Sequence, residues 1–166
     1  YILINCQEIY IGKYKTYISM KDISNTWKIK YMKLAKEIAS WSKDPSTKVG
    51  CIAVGNEGQV LSQGYNGFPR NIEDKAERYN NKEEKYKYVV HAEMNCIYNA
   101  CLNGISLNNA SLFVYGLHAC HECAKGIIQV GISNVYGYDN ISPQWKDSHN
   151  LTKKLFNEAG VNYETI

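Results

Sequence analysis

The sequence predicts one α/β domain: a three-layer α/β/α sandwich whose central sheet is mixed, partly parallel and about five strands wide. Three observations lead there. The chain has 166 residues and 45% hydrophobic content, enough for one sizeable core and too little for two ordinary domains. Two β-rich runs separated by a short turn read as a hairpin early in the chain. After the hairpin, strand-like and helix-like runs alternate, which requires parallel neighbours with helices on the faces of the sheet.

In chain order, apolar side chains at Trp27, Tyr31, Leu34, Ala35, Ile38 and Trp41 recur at the three-four spacing of a helix with one buried stripe. Asp44-Pro45 ends it. "KVGCIAVG" and "QVLSQGYN", separated by "NEG", form the expected hairpin. The segment 66–88 shows no clear strand, and connections this long in compact domains are usually functional or mobile; a short helix is expected near 73–79. A second helix is signalled over 91–103 with Gly104 behind it, followed by the strand "SLFVYG". A third helix starts near Cys120 and stops at Gly131, and "SNVYGY" follows as a strand. A fourth helix over roughly 148–159, closed by Gly160, leads into the terminal run "VNYETI". The domain is expected to occupy 20–166. The chain opens on a tyrosine and its first methionine is Met20, so residues 1–19 read either as a tag, readthrough or truncated end, or as a genuine β-prone extension.

Bulk composition narrows the function. The formal net charge is +3, and the densest charged segment, "RNIEDKAERYNNKEEKYK", mixes both signs, which disfavours a long polyanion and suits a small phosphorylated ligand. Tyrosines without a basic stripe make a poor nucleic-acid platform. Six cysteines at irregular spacings, four of them inside expected helices or strands, read as reduced intracellular thiols and not as a disulfide scaffold. The opening apolar run is only four residues long, far below an export signal or a membrane span, so a cytoplasmic location is expected.

The chemistry concentrates in two short motifs. Cys120 and Cys123 are three apart at a helix start, where neighbouring thiols converge and the helix dipole favours the thiolate. Alone, C-x-x-C supports a metal site, a redox pair or coincidence. A redox pair normally follows a first strand, and this pair opens a late helix, so zinc fits better. No second C-x-x-C completes a structural site. His91, in "HAEMNC", offers a neutral nitrogen instead, giving three protein ligands with a fourth position for water, the catalytic pattern. Glu93 follows two residues later and can work on that water as a proton carrier without ligating; the competing role is a helix-start acid balancing the dipole. H-x-E followed by P-C-x-x-C is the pattern of zinc nucleobase deaminases. Here "HAE" precedes "CHEC" by twenty-six residues, with Ala119 where the pattern has proline.

The chain resembles the deoxycytidylate deaminase branch of the cytidine deaminase-like superfamily from about Trp27 to Tyr163. The likeness rests on "SKDPSTKVG", "GYNGFP", "YKYVVHAEMN", "CHECAKGIIQVGI" and "LFNEAGV", in that order. The resemblance implies that His91, Cys120 and Cys123 bind one Zn2+ and that Glu93 shuttles a proton while activated water attacks C4 of the cytosine in dCMP. The products would be dUMP and ammonia. It also implies substrate contacts by Asn66 and Ala92, dCTP and dTTP as possible effectors, and a homo-oligomer, a hexamer or a dimer. Some phage relatives carry a second zinc held by the inserted loop; no cysteine or histidine lies between Asn66 and Val90, so that site is expected to be absent.

Other residues receive plainer readings. Lys48, Arg70 and Lys125 are candidates for phosphate or effector binding, each weighed against a solvated surface role. His118 and His121 flank the thiol pair without replacing it. Cys51, Cys96 and Cys101 are expected in the core, Trp27 and Trp41 on the buried helix stripe, and His149 at the surface or a cap. Two other functions compete: another nucleobase deaminase, such as a tRNA-editing one, and a non-catalytic nucleotide-binding module held together by zinc.

Overall fold

The computed structural model describes residues 6–11, 14–19, 22–137 and 143–166. Within the amino-terminal segment, β1 (Cys6–Ile11) and β2 (Tyr14–Ser19) pair antiparallel, from Cys6↔Ser19 to Ile11↔Tyr14, as a sheet of their own. Residues 1–5 and 12–13 of that segment lie outside the described residues.

The helix α1 (Asn25–Ser40) follows and lies on β3 (Gly50–Val54), which is buried at every position. Gly50 makes that approach possible, since a Cβ there would collide with the backbone of Ala35 and Ala39. The close approach also selects which side of α1 is buried: Tyr31, Met32, Ala35, Ile38 and Ala39. The expected stripe is therefore corrected at three places. Leu34 is exposed, and Trp27 and Trp41 are 51% and 50% exposed, because bulky side chains do not fit where helix and strand backbones nearly touch.

β3 and β4 (Val60–Tyr65) form the expected hairpin, antiparallel with Gly50 opposite Tyr65. The long connection after Asn66 holds two helices, α2 (Ala76–Asn80) and α3 (Lys82–Tyr88), the second of which the sequence did not signal. Its end is pinned by a backbone bridge between Gly67 and Val90. The helix α4 (Ala92–Leu102) then packs on β4, and Gly64 allows it, because a Cβ there would strike Cys96 N and Ala92 O. Asn95 and Asn99, one turn apart on α4, donate through Nδ2 to Tyr65 O at 2.8 Å and Gln63 O at 2.6 Å, carbonyls of the strand beside it.

The rest alternates as expected: β5 (Ser111–Tyr115), α5 (His121–Gln129), β6 (Asn134–Gly137), a 3-10 turn (Pro143–Trp145), α6 (Lys146–Ala159) and β7 (Asn162–Thr165). Tyr138, the last residue of the expected strand, lies outside the described residues. Gly160 ends α6 in the left-handed conformation, φ 73°. The five-stranded sheet runs β4-β3-β5-β6-β7, antiparallel around β3 and parallel through β5, β6 and β7.

Alternation along the strands divides the core between the two faces. Ile52, Val54, Phe113 and Tyr136 meet α1 on one side. Cys51, Ala53, Leu112, Val114 and Val135 meet Cys96 and Ile97 of α4, Ala124 and Ile127 of α5, and Phe156 of α6 on the other. This is the three-layer sandwich with the mixed sheet that the sequence predicts. Cys51 and Cys96 are core residues, whereas Cys101 is exposed near the end of α4. Among the described residues, no helix is long and apolar enough to cross a membrane.

Candidate active site and metal centre

His91 and Cys120 both stand immediately before a helix. Each has extended backbone, φ −68° and ψ 154° for His91 and φ −77° and ψ 166° for Cys120, so each side chain projects from the helix mouth. Cys120 Sγ accepts from the Cys123 N–H at 3.5 Å, which brings the first turn of α5 under the sulfur. α4 and α5 lie side by side on the same face of the sheet, and the two mouths converge there.

Convergence is close. Cys120 Sγ is 3.4 Å and Cys123 Sγ 3.3 Å from His91 Nδ1, and the three atoms lie within 4.8 Å of one another. A tetrahedral zinc with S at about 2.3 Å and N at about 2.05 Å would set sulfur and nitrogen about 3.5 Å apart, so the donors are already at the spacing an ion needs. The geometry selects Nδ1 of the imidazole. Among the described residues no fourth histidine, cysteine or carboxylate joins this group. The protons in the cluster are those a divalent cation displaces. A hydrogen bond from Cys123, aided by His91, drops the Cys120 thiol to about 3; the bond to Cys120 lifts His91 to about 9. Cys123, bonded to that thiolate and buried, is pushed far up. A thiolate facing a protonated imidazole and a thiol is a donor set that exchanges protons for metal, and the residues fit a single zinc site.

Glu93, in the first turn of α4, is only 3% exposed. It lines the same cleft as His91 and Cys120 without belonging to the donor group. Burial pushes its carboxyl up to about 7, against the opposing pull of His91. A carboxyl balanced near neutrality can both take and return a proton. The cleft has a volume of about 210 Å³. A larger hollow of about 390 Å³ lies at the other end of the sheet, against Ser111 and Asn134 at the starts of β5 and β6. It is lined by neither histidine nor cysteine, so the chemistry belongs to the smaller cleft.

Asn66 and Ala92 line this cleft too. The Asn66 amide is tied to the preceding loop: Oδ1 accepts from the Val49 N–H at 2.8 Å and Nδ2 donates to Thr47 O at 2.9 Å. Lys48, Arg70 and Lys125 are not part of the lining. Lys48 Nζ is 3.4 Å from Ser40 O, Arg70 bonds Asn99 Oδ1, and Lys125 pairs with Glu122 at 2.6 Å on the outside of α5. Lys85, Asp44, Tyr86 and Trp145 contribute to the lining without having been singled out. Asp44 had a signal of sorts, lying in the "SKDPSTKVG" block; Trp145 had none, because only folding brings the start of α6 to the cleft.

The histidines divide. His118 lines the cleft, while His121 sits 2.9 Å from Ser148 Oγ. His149, expected at the surface, is buried, its ring 4.2 Å from that of His118 and 5.8 Å from that of Tyr163. Ala119 is buried in place of the motif proline, and its carbonyl accepts from Thr152 Oγ1 at 3.1 Å, so α6 holds the turn that proline would have stiffened.

Sheet, helix mouths and donors together define an α/β/α protein whose His/Cys/Cys cluster fits a zinc ion, with a buried carboxyl beside it. Residues 25–138 match the cytidine and deoxycytidylate deaminase zinc-binding region, and the chain belongs to that family. A probable deoxycytidylate deaminase of Drosophila melanogaster is 38% identical over 149 residues, spanning 83% of this chain and 71% of its own. The deoxycytidylate deaminase of Homo sapiens is 38% identical over 144 residues, 82% of this chain and 78% of its own. The crystal structure of dCMP deaminase from the cyanophage S-TIM5, in complex with dCMP and dUMP, superposes with a TM-score of 0.70 at 27% identity, covering 87% of this chain and all of the other.

Proposed function

We infer that this protein hydrolytically deaminates dCMP to dUMP, releasing ammonia, in pyrimidine deoxynucleotide metabolism. The observation that carries the reading is the convergence of His91 Nδ1, Cys120 Sγ and Cys123 Sγ in a cleft that also holds the buried Glu93. The names of the fly and human relatives, and the dCMP and dUMP bound to the cyanophage enzyme, support the choice of substrate.

In this reading His91, Cys120 and Cys123 would hold one zinc ion per chain, which would supply the Lewis acidity that makes water acidic near neutral pH. Glu93 removes a proton from the water as its oxygen adds to C4, and delivers that proton to ring N3. It then carries the second water proton to the departing amino group, so cytosine and water become uracil and ammonia. Asn66 retains one N–H and one lone pair beyond its loop bonds, enough to bind a sugar hydroxyl. Ala92 opens α4, where the N–H has no acceptor within the helix and suits a base carbonyl. Lys48, Arg70 and Lys125, outside the cleft lining, suit an effector or surface role better than the substrate phosphate. Residues 20–166 would form the catalytic domain and 1–19 an extension, in a cytoplasmic homo-oligomer, a hexamer or a dimer, responsive to dCTP and dTTP.

Ammonia release from the zinc-loaded protein tests the reading. We expect turnover with dCMP well above that with CMP, deoxycytidine, dCTP or a tRNA anticodon stem. Inert dCMP, or a preference for the tRNA, would overturn it.

A further inference from the structure

We propose that the buried Lys85–Asp44 ion pair is a positioning latch: it joins α3 to the 41–49 loop across the cleft and thereby fixes Asn66 for substrate binding. The kinetic side of this inference rests on the deaminase reading above. Lys85 is 8% exposed and Asp44 2%, and both line the cleft. Lys85 Nζ lies 3.1 Å from Asp44 Oδ2, 3.4 Å from Asp44 Oδ1 and 2.8 Å from Ser46 Oγ. An ammonium group has three N–H donors, and three acceptors surround this one. Lys85 is therefore built to hold the loop, not to wait for a phosphate.

Asp44 passes the hold onward. Its Oδ1 accepts from the Ser46 N–H at 2.9 Å, Ser46 Oγ at 2.8 Å and the Thr47 N–H at 3.1 Å. The same loop grips Asn66 at four points: Thr47 O and the Val49 N–H on its side-chain amide, Ser42 Oγ on its carbonyl at 2.7 Å, and Val49 O on its backbone N–H at 3.1 Å. α3 also supplies Tyr86 to the lining, so the latch ties two parts of the cleft lining together. A buried ion pair is a poor source of stability compared with an apolar pair of similar size. Its place between two walls of the cleft points to geometry as its use. A separate tie of the same loop, Lys43–Asp74 at 2.7 Å, runs to the segment before α2; it is exposed and serves as a control.

The test is the paired variant Lys85→Met/Asp44→Asn, which removes both charges together and keeps an amide oxygen for the Ser46 and Thr47 N–H groups. We expect a melting temperature close to that of the parent, a KM for dCMP raised ~10-fold or more, and kcat within ~3-fold, the split expected when ground-state binding is lost. Lys85→Arg, which keeps the charge and the donors in a bulkier group, should raise KM less than the paired variant does. Lys43→Met should change neither constant, as exposed pairs contribute little. A readout without substrate accompanies these: amide exchange of the Val49 N–H should quicken ~10-fold in the paired variant while that of Ile52, deeper in the same strand, stays constant. Parental KM together with parental Val49 exchange would overturn the latch, as would a KM that merely follows the melting temperature across the series. If the parent protein fails to turn over dCMP, the deaminase reading falls and the exchange measurement alone decides the latch.

Discussion

Glu93 carries an electrostatic cost that the proposed proton transfer would use. Burial raises its carboxyl from 4.5 to about 7, so in the metal-free protein it binds a proton that the unfolded chain releases. The penalty is absent below pH 4.5 and grows as pH rises toward 7. Glu93→Gln in metal-free protein should therefore gain stability over the parent across that interval, with no gain at pH 4, as thermal melts at several pH values would reveal. In the zinc-loaded protein the same substitution should retain stoichiometric metal and lose ~10²–10⁴-fold in kcat, measured by ammonia release. The donors were readable in the sequence because their spacing is local to two helix starts. The choice of Nδ1 and the ties on Asn66 were not, since they depend on how separate segments meet. His149 misled because it sits in the polar run "KDSHN", yet it shares a buried stripe with Thr152 and Phe156, three and seven residues on.

Elements are placed by small residues at their contacts. α4 carries His91 at its mouth and lies on β4 through Gly64, so the strand sets the height of one metal ligand. Gly64→Ala would push a methyl group into the α4 backbone at Ala92 and Cys96, and should cost about 1–3 kcal/mol by overpacking. Zinc affinity should fall with it, because His91 would shift away from the two sulfurs; melting and metal titration would detect both effects, and unchanged affinity would separate strand from site. The strands, the hairpin and most helices were legible because short β-rich runs bounded by turn residues alternate with longer helical segments after Gly50. α3 was not: "KEEKYKY" has no apolar stripe, and its one buried residue is a lysine. α1 was found with its stripe too wide: Tyr31, Ala35 and Ile38 are buried as expected, but Ala35 and Ala39 matter through their smallness at Gly50, whereas hydropathy also weights Trp27, Leu34 and Trp41.

At the scale of the whole molecule, the proposed metal ligands come from the starts of α4 and α5, so binding an ion there would couple two helices to the sheet they share. Ligand binding to the native state alone at 100 times Kd adds about 2.7 kcal/mol, which for a chain of this size is roughly 5–10 °C in Tm. Chelation should lower Tm by that order, and Cys120→Ser should show a smaller difference between metal-free and metal-loaded forms; calorimetry with and without zinc checks both. The rim of the sheet along β4 has its own consequence. Strand margins ordinarily leave peptide carbonyls open to a neighbouring chain, the route by which β-rich proteins polymerise. Here the amides of Asn95 and Asn99 already occupy Tyr65 O and Gln63 O. A second molecule arriving at that margin would find these two acceptors already taken, which works against strand addition on that side.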